Sequence, residues 1–265
     1  MLRRAWTRRQ RSPWWIELLA LTWLYGIYDA VTDLPPLRQG VAMAHARSLL
    51  HFERVLHIAP ELSLNRWLAP HHVLALALSD YYDIAHFVVT IGLLAWVWWY
   101  RPDIHRGLRN TLVLTNVIGL VVYLVYPLAP PRLLPGAGFT DVVANTHAFA
   151  SSHAGVLASQ ADQFAAMPSL HIAWAAWCTL VVFKLTARWG ARVLALLYPV
   201  LTTFTVLATA NHFLLDVVAG LATLAVAALM AKAWGAFLAA RRGRVAVGLS
   251  ATTPVGLEPA RNVKV

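Results

Sequence analysis

Cysteine and charged residues are both scarce in this chain of 265 residues. The one cysteine, Cys178, excludes an intrachain disulfide and a cluster of thiolate metal ligands. It lies within an apolar run, where a small buried side chain is the expected role. Charged residues make up 13% of the chain and hydrophobic residues 59%, against about 25% and 45–50% in a soluble domain. This composition argues against a water-soluble globular protein.

Long apolar runs account for the hydrophobic excess. A helix needs about 20 mostly apolar residues to cross the hydrocarbon core of a bilayer. Six segments bounded by charge or proline meet this requirement: 14–34, 79–100, 108–128, 168–187, 191–210 and 213–234. The sequence therefore predicts an all-α fold, a polytopic membrane bundle of six transmembrane helices.

The formal net charge of +10 would suggest a nucleic-acid partner in a soluble protein. Here the basic residues fall mainly on one side of the predicted bundle, 17 against 5 when both termini are assigned to the cytoplasm. This asymmetry follows the positive-inside rule. We therefore expect a protein of the cytoplasmic membrane, with both termini cytoplasmic and no nucleic-acid partner.

The segments outside the spans complete the expected organisation. Residues 1–13 form a basic cytoplasmic N-terminus, and residues 14–240 form the membrane domain, whose first span is interpreted as an uncleaved anchor. Residues 241–265 are expected to be a disordered cytoplasmic tail. On the outer side, residues 39–57 are predicted to form an amphipathic helix on the membrane surface. Residues 129–167 form a long loop, which is typically functional or disordered.

Ten of the 11 histidines fall on the outer side, and two of them stand apart by their local sequence. His171 follows Pro168 in the motif Met167–His171, where the proline suits the first helical turn. His212 opens the last span. The two are separated by about two spans, so both are predicted at the same outer depth and at helix N-termini, which favour a bound anion.

A carboxylate and an arginine accompany these histidines. Asp216 follows His212 by four residues and so lies on the same helix face. A carboxylate inside a span needs a partner. Asp216 could accept one ring N–H of His212 and leave the other nitrogen as a nucleophile or base, or the two could form a simple stabilising ion pair. Arg132, just beyond the third span, offers donors suited to phosphate oxygens.

Asp83 and His86 lie near the same outer boundary and share a helix face. They could line a polar pocket for a head group, or they could pair with Arg132 and cap helices. Both interpretations stay open at this point.

The remaining outer histidines form a poor template for a metal. His45, His51 and His57 recur every six residues, which scatters them around a helix axis. No metal site and no cofactor are predicted.

These motifs resemble those of a known family. Pro168-Ser169-Leu170-His171, followed by His212-x-x-x-Asp216 in a six-span protein, resembles the type 2 phosphatidic acid phosphatase superfamily. Leu170 within the first motif, and Ala129-Pro130-Pro131-Arg132 upstream, are similar to its inositol phosphorylceramide synthase (inositolphosphotransferase) branch. The resemblance covers approximately residues 79–230.

The resemblance implies a metal-independent phosphoryl-transfer site. The later histidine, His212, would attack phosphorus to form a phosphohistidine, and Asp216 would orient it. His171 would protonate the leaving alcohol, and Ser169 and Arg132 would hold the phosphate.

Two basic residues of the phosphatase pattern are missing. The lysine position is occupied by Val125, and the position six residues before the nucleophile is Val206 instead of arginine. A phosphodiester carries one negative charge and needs less compensation than a doubly charged monoester. The departure therefore favours a transferase with a phospholipid-type donor.

The sequence thus predicts a membrane enzyme that transfers the phosphate-containing head group of a membrane lipid at the extracytoplasmic face. One alternative is a lipid or polyprenyl phosphate phosphatase, in which water is the acceptor. A second alternative is a scaffold or transporter without catalytic activity.

Overall fold

The computed structural model describes residues 12–19, 22, 26, 38–146 and 164–251, the side chains of 242–251 excepted. Helices dominate these residues, and no β-strand occurs among them. The eight α-helices of 38–146 and 164–251 are α1 Gln39–Val55, α2 Glu61–Leu68, α3 His72–Tyr100, α4 Pro102–Val125, α5 Val142–Thr146, α6 Leu170–Leu185, α7 Trp189–Ala208 and α8 Leu214–Ala251.

Four helices are long and apolar enough to cross a membrane: α3, α4, α7 and the Leu214–Arg241 part of α8. They coincide with four of the six predicted spans, so the chain is a membrane protein. The fourth predicted span corresponds to α6, a shorter apolar helix of 16 residues. The first, 14–34, lies mostly outside the described residues, of which 14–19 are helical.

Proline residues mark both ends of helix α4. Helix α4 begins with Pro102 and carries Asp103 in its first turn, both favourable at a helix N-terminus. It ends at Val125, and Tyr126 precedes a proline, which disfavours the helical conformation.

Helix α8 continues to Ala251, past the boundary at residue 240 where we expected a disordered tail to begin. The reason is local, because residues 236–251 are rich in Ala, Leu and Arg, which favour helix, and contain no proline. Residues 252–265 of the expected tail lie outside the described residues.

Helix α6 lies at the centre of the bundle, and half of its residues are buried. Its Trp177 is fully buried, and the indole Nε1 donates a hydrogen bond to the Leu108 carbonyl at 3.0 Å. Cys178 is 4% exposed, as expected for a small buried side chain. Helix α6 packs against α7 and α8, and α8 packs in turn against α4.

The N-terminus of α6 lies very close to α8 at Gly220. A Cβ atom built on Gly220 would lie 2.3 Å from the Ser169 carbonyl oxygen. Only glycine permits this approach, and it brings together the two helices that carry the His171 and His212 motifs.

The segment predicted to lie on the membrane surface contains helix α1. Its buried residues recur at helical spacing: Ala42, Ala46, Leu50 and Glu53. This face packs against the segment after α4, where the Ala129 N–H donates to the Ala42 carbonyl at 3.3 Å, and against Phe213. Helix α1 therefore packs next to the residue that precedes α8.

Candidate active site

The structure brings His171 and His212 together. His171 lies in the first turn of α6, and His212 lies two residues before α8 begins. Their ring centroids are 5.8 Å apart. His212 is 4% exposed, and His171 is partly exposed. The two imidazoles therefore lie close enough to act on opposite sides of one small group.

The ring of His212 is held through one nitrogen. Its Nδ1 lies 2.8 Å from the Ala166 carbonyl oxygen. Because a carbonyl only accepts, Nδ1 must carry the hydrogen, which leaves Nε2 with its lone pair. Nε2 is buried and has no hydrogen-bond partner among the described residues. The distance from His212 Nδ1 to Asp216 Oδ2 is 3.5 Å, so the Ala166 carbonyl is the closer acceptor of the Nδ1 hydrogen. Asp216 places a carboxylate beside the imidazole ring.

Asp216 also builds the start of α8. Its Oδ2 accepts the Phe213 N–H at 2.8 Å, which is the reciprocal half of a capping box. Its main-chain carbonyl accepts the Ser169 N–H at 3.0 Å. The side chain is fully buried. Asp216 therefore connects the N-termini of α6 and α8 and holds His212 between them.

Ser169 occupies the N-cap position of α6, and its side chain makes no capping hydrogen bond. Its Oγ is buried and has no partner among the described residues. Pro168 therefore precedes the N-cap, and its expected place in the first helical turn was wrong. The first hydrogen bond of the helix runs from the Ala173 N–H to the Ser169 carbonyl at 3.1 Å, so the helix begins after Ser169.

Arg132 lies on a short 3-10 helix, Pro131–Leu133, that is tied to the His212 segment. Its backbone N–H donates to the Ala210 carbonyl at 3.0 Å, and its Nε donates to Asn211 Oδ1 at 2.9 Å. Its Nη1 forms a 2.7 Å ion pair with Asp141. The arginine is therefore anchored next to His212, and a carboxylate offsets part of its charge.

Helix α3 supplies an aromatic wall to His171. Tyr82 stacks on His171 with ring centroids 4.1 Å apart and planes at 21°, and His86 lies 4.3 Å away edge-on. Tyr82 and His86 are four residues apart and share a helix face. Of the predicted head-group pair, His86 thus reaches His171, whereas Asp83 does not line the neighbouring cavity.

That cavity lies beside His171 and has room for about one water molecule. Eight residues line it, five of which carry a side-chain hydroxyl: Tyr81, Tyr82, His86, His171, Tyr198, Thr202, Thr205 and Val206. Val206, at the position of a missing phosphatase arginine, is fully buried in this wall. Val125, at the missing lysine position, is 76% exposed. Neither position provides a positive charge to the site.

Sequence reasoning missed Tyr82 and Asp141. The spacing of Tyr82 to His86 could have indicated a shared face, since the two are one helical turn apart. No local sequence pattern indicated the contact of Asp141 with Arg132. The two residues are nine positions apart in the loop after α4, and the fold of that loop brings them together.

Comparison with known proteins agrees with the resemblance of the motifs. The family model described as PAP2 superfamily matches residues 47–230, well over half of the chain. No curated protein and no solved structure shows significant similarity to the chain. The match favours an enzyme over the scaffold or transporter considered above. The chain belongs to the PAP2 superfamily and is a membrane enzyme of its lipid phosphatase and phosphotransferase class.

Proposed function

We propose that this enzyme is a metal-independent phosphotransferase of the inositolphosphotransferase type, which moves the phosphate-containing head group of a phospholipid-type donor to a hydroxyl acceptor. The observation that carries the proposal is the state of His212. Its ring is held at Nδ1 by the Ala166 carbonyl, and its buried Nε2 has no partner among the described residues. A nitrogen so held is a prepared nucleophile.

In the first step, Nε2 of His212 attacks phosphorus, and the bond from phosphorus to the diacylglycerol oxygen breaks. His171 gives its proton to that leaving oxygen. A phosphohistidine carrying the head group results. The positive charge that develops on the His212 ring is stabilised by Asp216, 3.5 Å from Nδ1.

In the second step, the hydroxyl of the acceptor attacks phosphorus and gives its proton to His171. The bond between phosphorus and Nε2 breaks, and His212 returns to its starting state. The ring centroids of the two imidazoles are 5.8 Å apart, so both histidines would act on the same phosphoryl group.

The phosphate oxygens would be held by Arg132, by the Ser169 hydroxyl and by the N-terminus of α6. The Ser169 Oγ has no partner among the described residues and is free to donate. Backbone N–H groups at a helix N-terminus favour an anion.

The charge of the site supports a diester donor. Asp141 lies 2.7 Å from Arg132 and offsets its charge, and Val125 and Val206 stand where phosphatases carry basic residues. A diester carries one negative charge, whereas a monoester carries up to two. A site with little net positive charge therefore discriminates against the monoester.

One observation favours hydrolysis as the second candidate. The cavity beside His171 has room for about one water molecule. A water there could be activated by His171 in place of the acceptor hydroxyl, which would make the enzyme a lipid or polyprenyl phosphate phosphatase.

The extracytoplasmic position of the site is supported by the distribution of basic residues, 17 on the side of the termini and 5 on the side of the histidines. The donor would then be a lipid of the outer leaflet.

The test uses the full-length protein in detergent micelles. Phosphatidylinositol and phosphatidylglycerol with labelled head groups, each with diacylglycerol or ceramide as acceptor, report transfer. Phosphatidic acid and a polyprenyl phosphate report release of inorganic phosphate. We expect transfer to exceed phosphate release, and an acid-labile label on the protein that is absent from His212→Ala.

His212→Ala should lower turnover by about 10³-fold or more while the protein stays folded. His51→Ala, at an exposed histidine of α1, is the matched control and should keep full activity. Full turnover by His212→Ala would refute the mechanism. Phosphate release that needs no acceptor would select the phosphatase alternative.

A further inference from the structure

Two glutamates are fully buried beside the start of α8, and the mechanism above does not use them. Glu53 lies on α1 and Glu61 on α2, and both side chains are 0% exposed. Buried carboxylates are costly unless they are paired or protonated. The spacing of Glu53 from Ala42, Ala46 and Leu50 already places it on the buried face of α1.

Glu53 completes the N-terminus of α8 from another helix. The residue before α8, Phe213, has no side-chain acceptor, so the first N–H groups of the helix need partners from elsewhere. Asp216 accepts the Phe213 N–H at 2.8 Å, and Glu53 Oε1 accepts the Leu215 N–H at 2.7 Å. Glu53 thus does what an N-cap Ser, Thr or Asp would do within one chain segment.

The carboxyl groups of Glu53 and Glu61 lie close enough to interact with each other. Two carboxylates can only accept hydrogen bonds, so a hydrogen bond between them requires a proton on one of them. Glu53 Oε2 and both oxygens of Glu61 have no hydrogen-bond donor among the described residues. In the described part of the chain no group of three or more His, Cys, Asp or Glu is placed to hold a metal ion. A shared proton is therefore what satisfies the pair.

The charges around the pair favour keeping that proton at neutral pH. Burial raises the pKa of Glu53 to about 8 and also raises the pKa of Glu61. The negative charge of Asp216 acts in the same direction on both groups, and Arg54 opposes it at Glu61.

We propose that Glu53 and Glu61 are positioning residues for the nucleophile: with one proton between them they fix the first turn of α8, and thereby hold His212 and Asp216 in place. Loss of the proton puts a second negative charge beside Asp216 and loosens the cap. This inference rests on the proposed function, because its consequence is the placement of His212.

The test compares Glu53→Gln with Glu53→Ala in the full-length protein. A glutamine keeps an oxygen for the Leu215 N–H and an N–H for Glu61, and it cannot ionise. An alanine removes the cap. Asp103→Asn is the matched carboxyl-to-amide control, since Asp103 pairs with Arg101 on an exposed surface.

For the wild type and Asp103→Asn we expect turnover to fall as the pH rises above about 8. Glu53→Gln should keep turnover within about threefold at neutral pH and should not show the alkaline fall. Glu53→Ala should lose about tenfold or more at every pH. An alkaline fall in Glu53→Gln equal to that of the wild type, or wild-type turnover by Glu53→Ala, would overturn the proposal.

Thermal unfolding in detergent gives a readout that does not depend on activity. A carboxyl whose pKa is raised by folding stabilises the protein fully below its ordinary pKa of 4.5, and this contribution is lost as the pH rises to about 8. The wild-type melting temperature should therefore fall over this range more steeply than that of Glu53→Gln. Equal slopes would refute the shared proton, whether or not a lipid substrate is turned over.

Discussion

Gly220→Ala tests whether the close approach of α6 and α8 sets the catalytic geometry. The new Cβ would lie 2.3 Å from the Ser169 carbonyl oxygen and 3.3 Å from the Ser169 carbonyl carbon. Cβ atoms do not approach other atoms closer than 3.0 Å, so the two backbones must separate by at least about 0.7 Å. The atom in the way belongs to the backbone and cannot rotate aside.

The separation acts directly on the site. It stretches the 3.0 Å hydrogen bond from the Ser169 N–H to the Asp216 carbonyl, and it moves His171, two residues further along α6, away from His212. A displacement of about 1 Å between reacting groups costs about 100-fold in rate. We expect turnover to fall by about 30- to 100-fold and stability by about 1–3 kcal/mol, as in other overpacked cores.

The assay is turnover of the labelled donor lipid together with thermal unfolding in detergent. Gly235→Ala is the matched control in the same helix, because nothing lies within 4 Å of its Cβ position. There the substitution should leave turnover unchanged and raise stability by about 0.5–1 kcal/mol, since alanine favours helix over glycine. If Gly220→Ala turns over lipid as fast as Gly235→Ala, the close approach does not set the geometry and the reasoning fails.

Two further substitutions test the charge and the aromatic wall of the site. Asp141→Asn leaves the Asn211 contact of Arg132 intact and removes the 2.7 Å ion pair. The ratio of monoester to diester kcat/KM should then rise by about 3- to 10-fold, and an unchanged ratio would contradict the charge argument. Tyr82→Leu removes the ring stacked on His171, so its kcat should fall about tenfold below that of Tyr82→Phe, which keeps the ring. Equal kcat values for the two variants would show that the stack does not orient His171.

Local patterns in the sequence predicted the parts of this protein that depend on near neighbours in the chain. The apolar runs indicated the helices that became α3, α4, α7 and α8, because burial in a bilayer needs only length and hydrophobicity. The four-residue spacing of His212 and Asp216 indicated that they lie close together, although His212 precedes α8 by two residues and does not share a helical turn with Asp216 as expected.

Helix ends were less predictable. The sequence placed Pro168 in the first turn of α6, whereas the helix begins two residues later, at Leu170, after the tight contact between Ser169 and α8. Similarly, α8 extends to Ala251 beyond the expected boundary at residue 240, because residues 236–251 contain no proline and are rich in Ala, Leu and Arg, which favour helix.

The sequence by itself thus determined the membrane class of the protein, the two histidines and the carboxylate one turn from His212. Only the tertiary structure decided what surrounds them: Tyr82 on His171, Asp141 on Arg132, and Glu53 on the first turn of α8. The physical reason is the distance along the chain. Hydrophobicity and helical period act between neighbours, whereas these contacts arise from packing of separate elements, and no local pattern specifies which of them will meet.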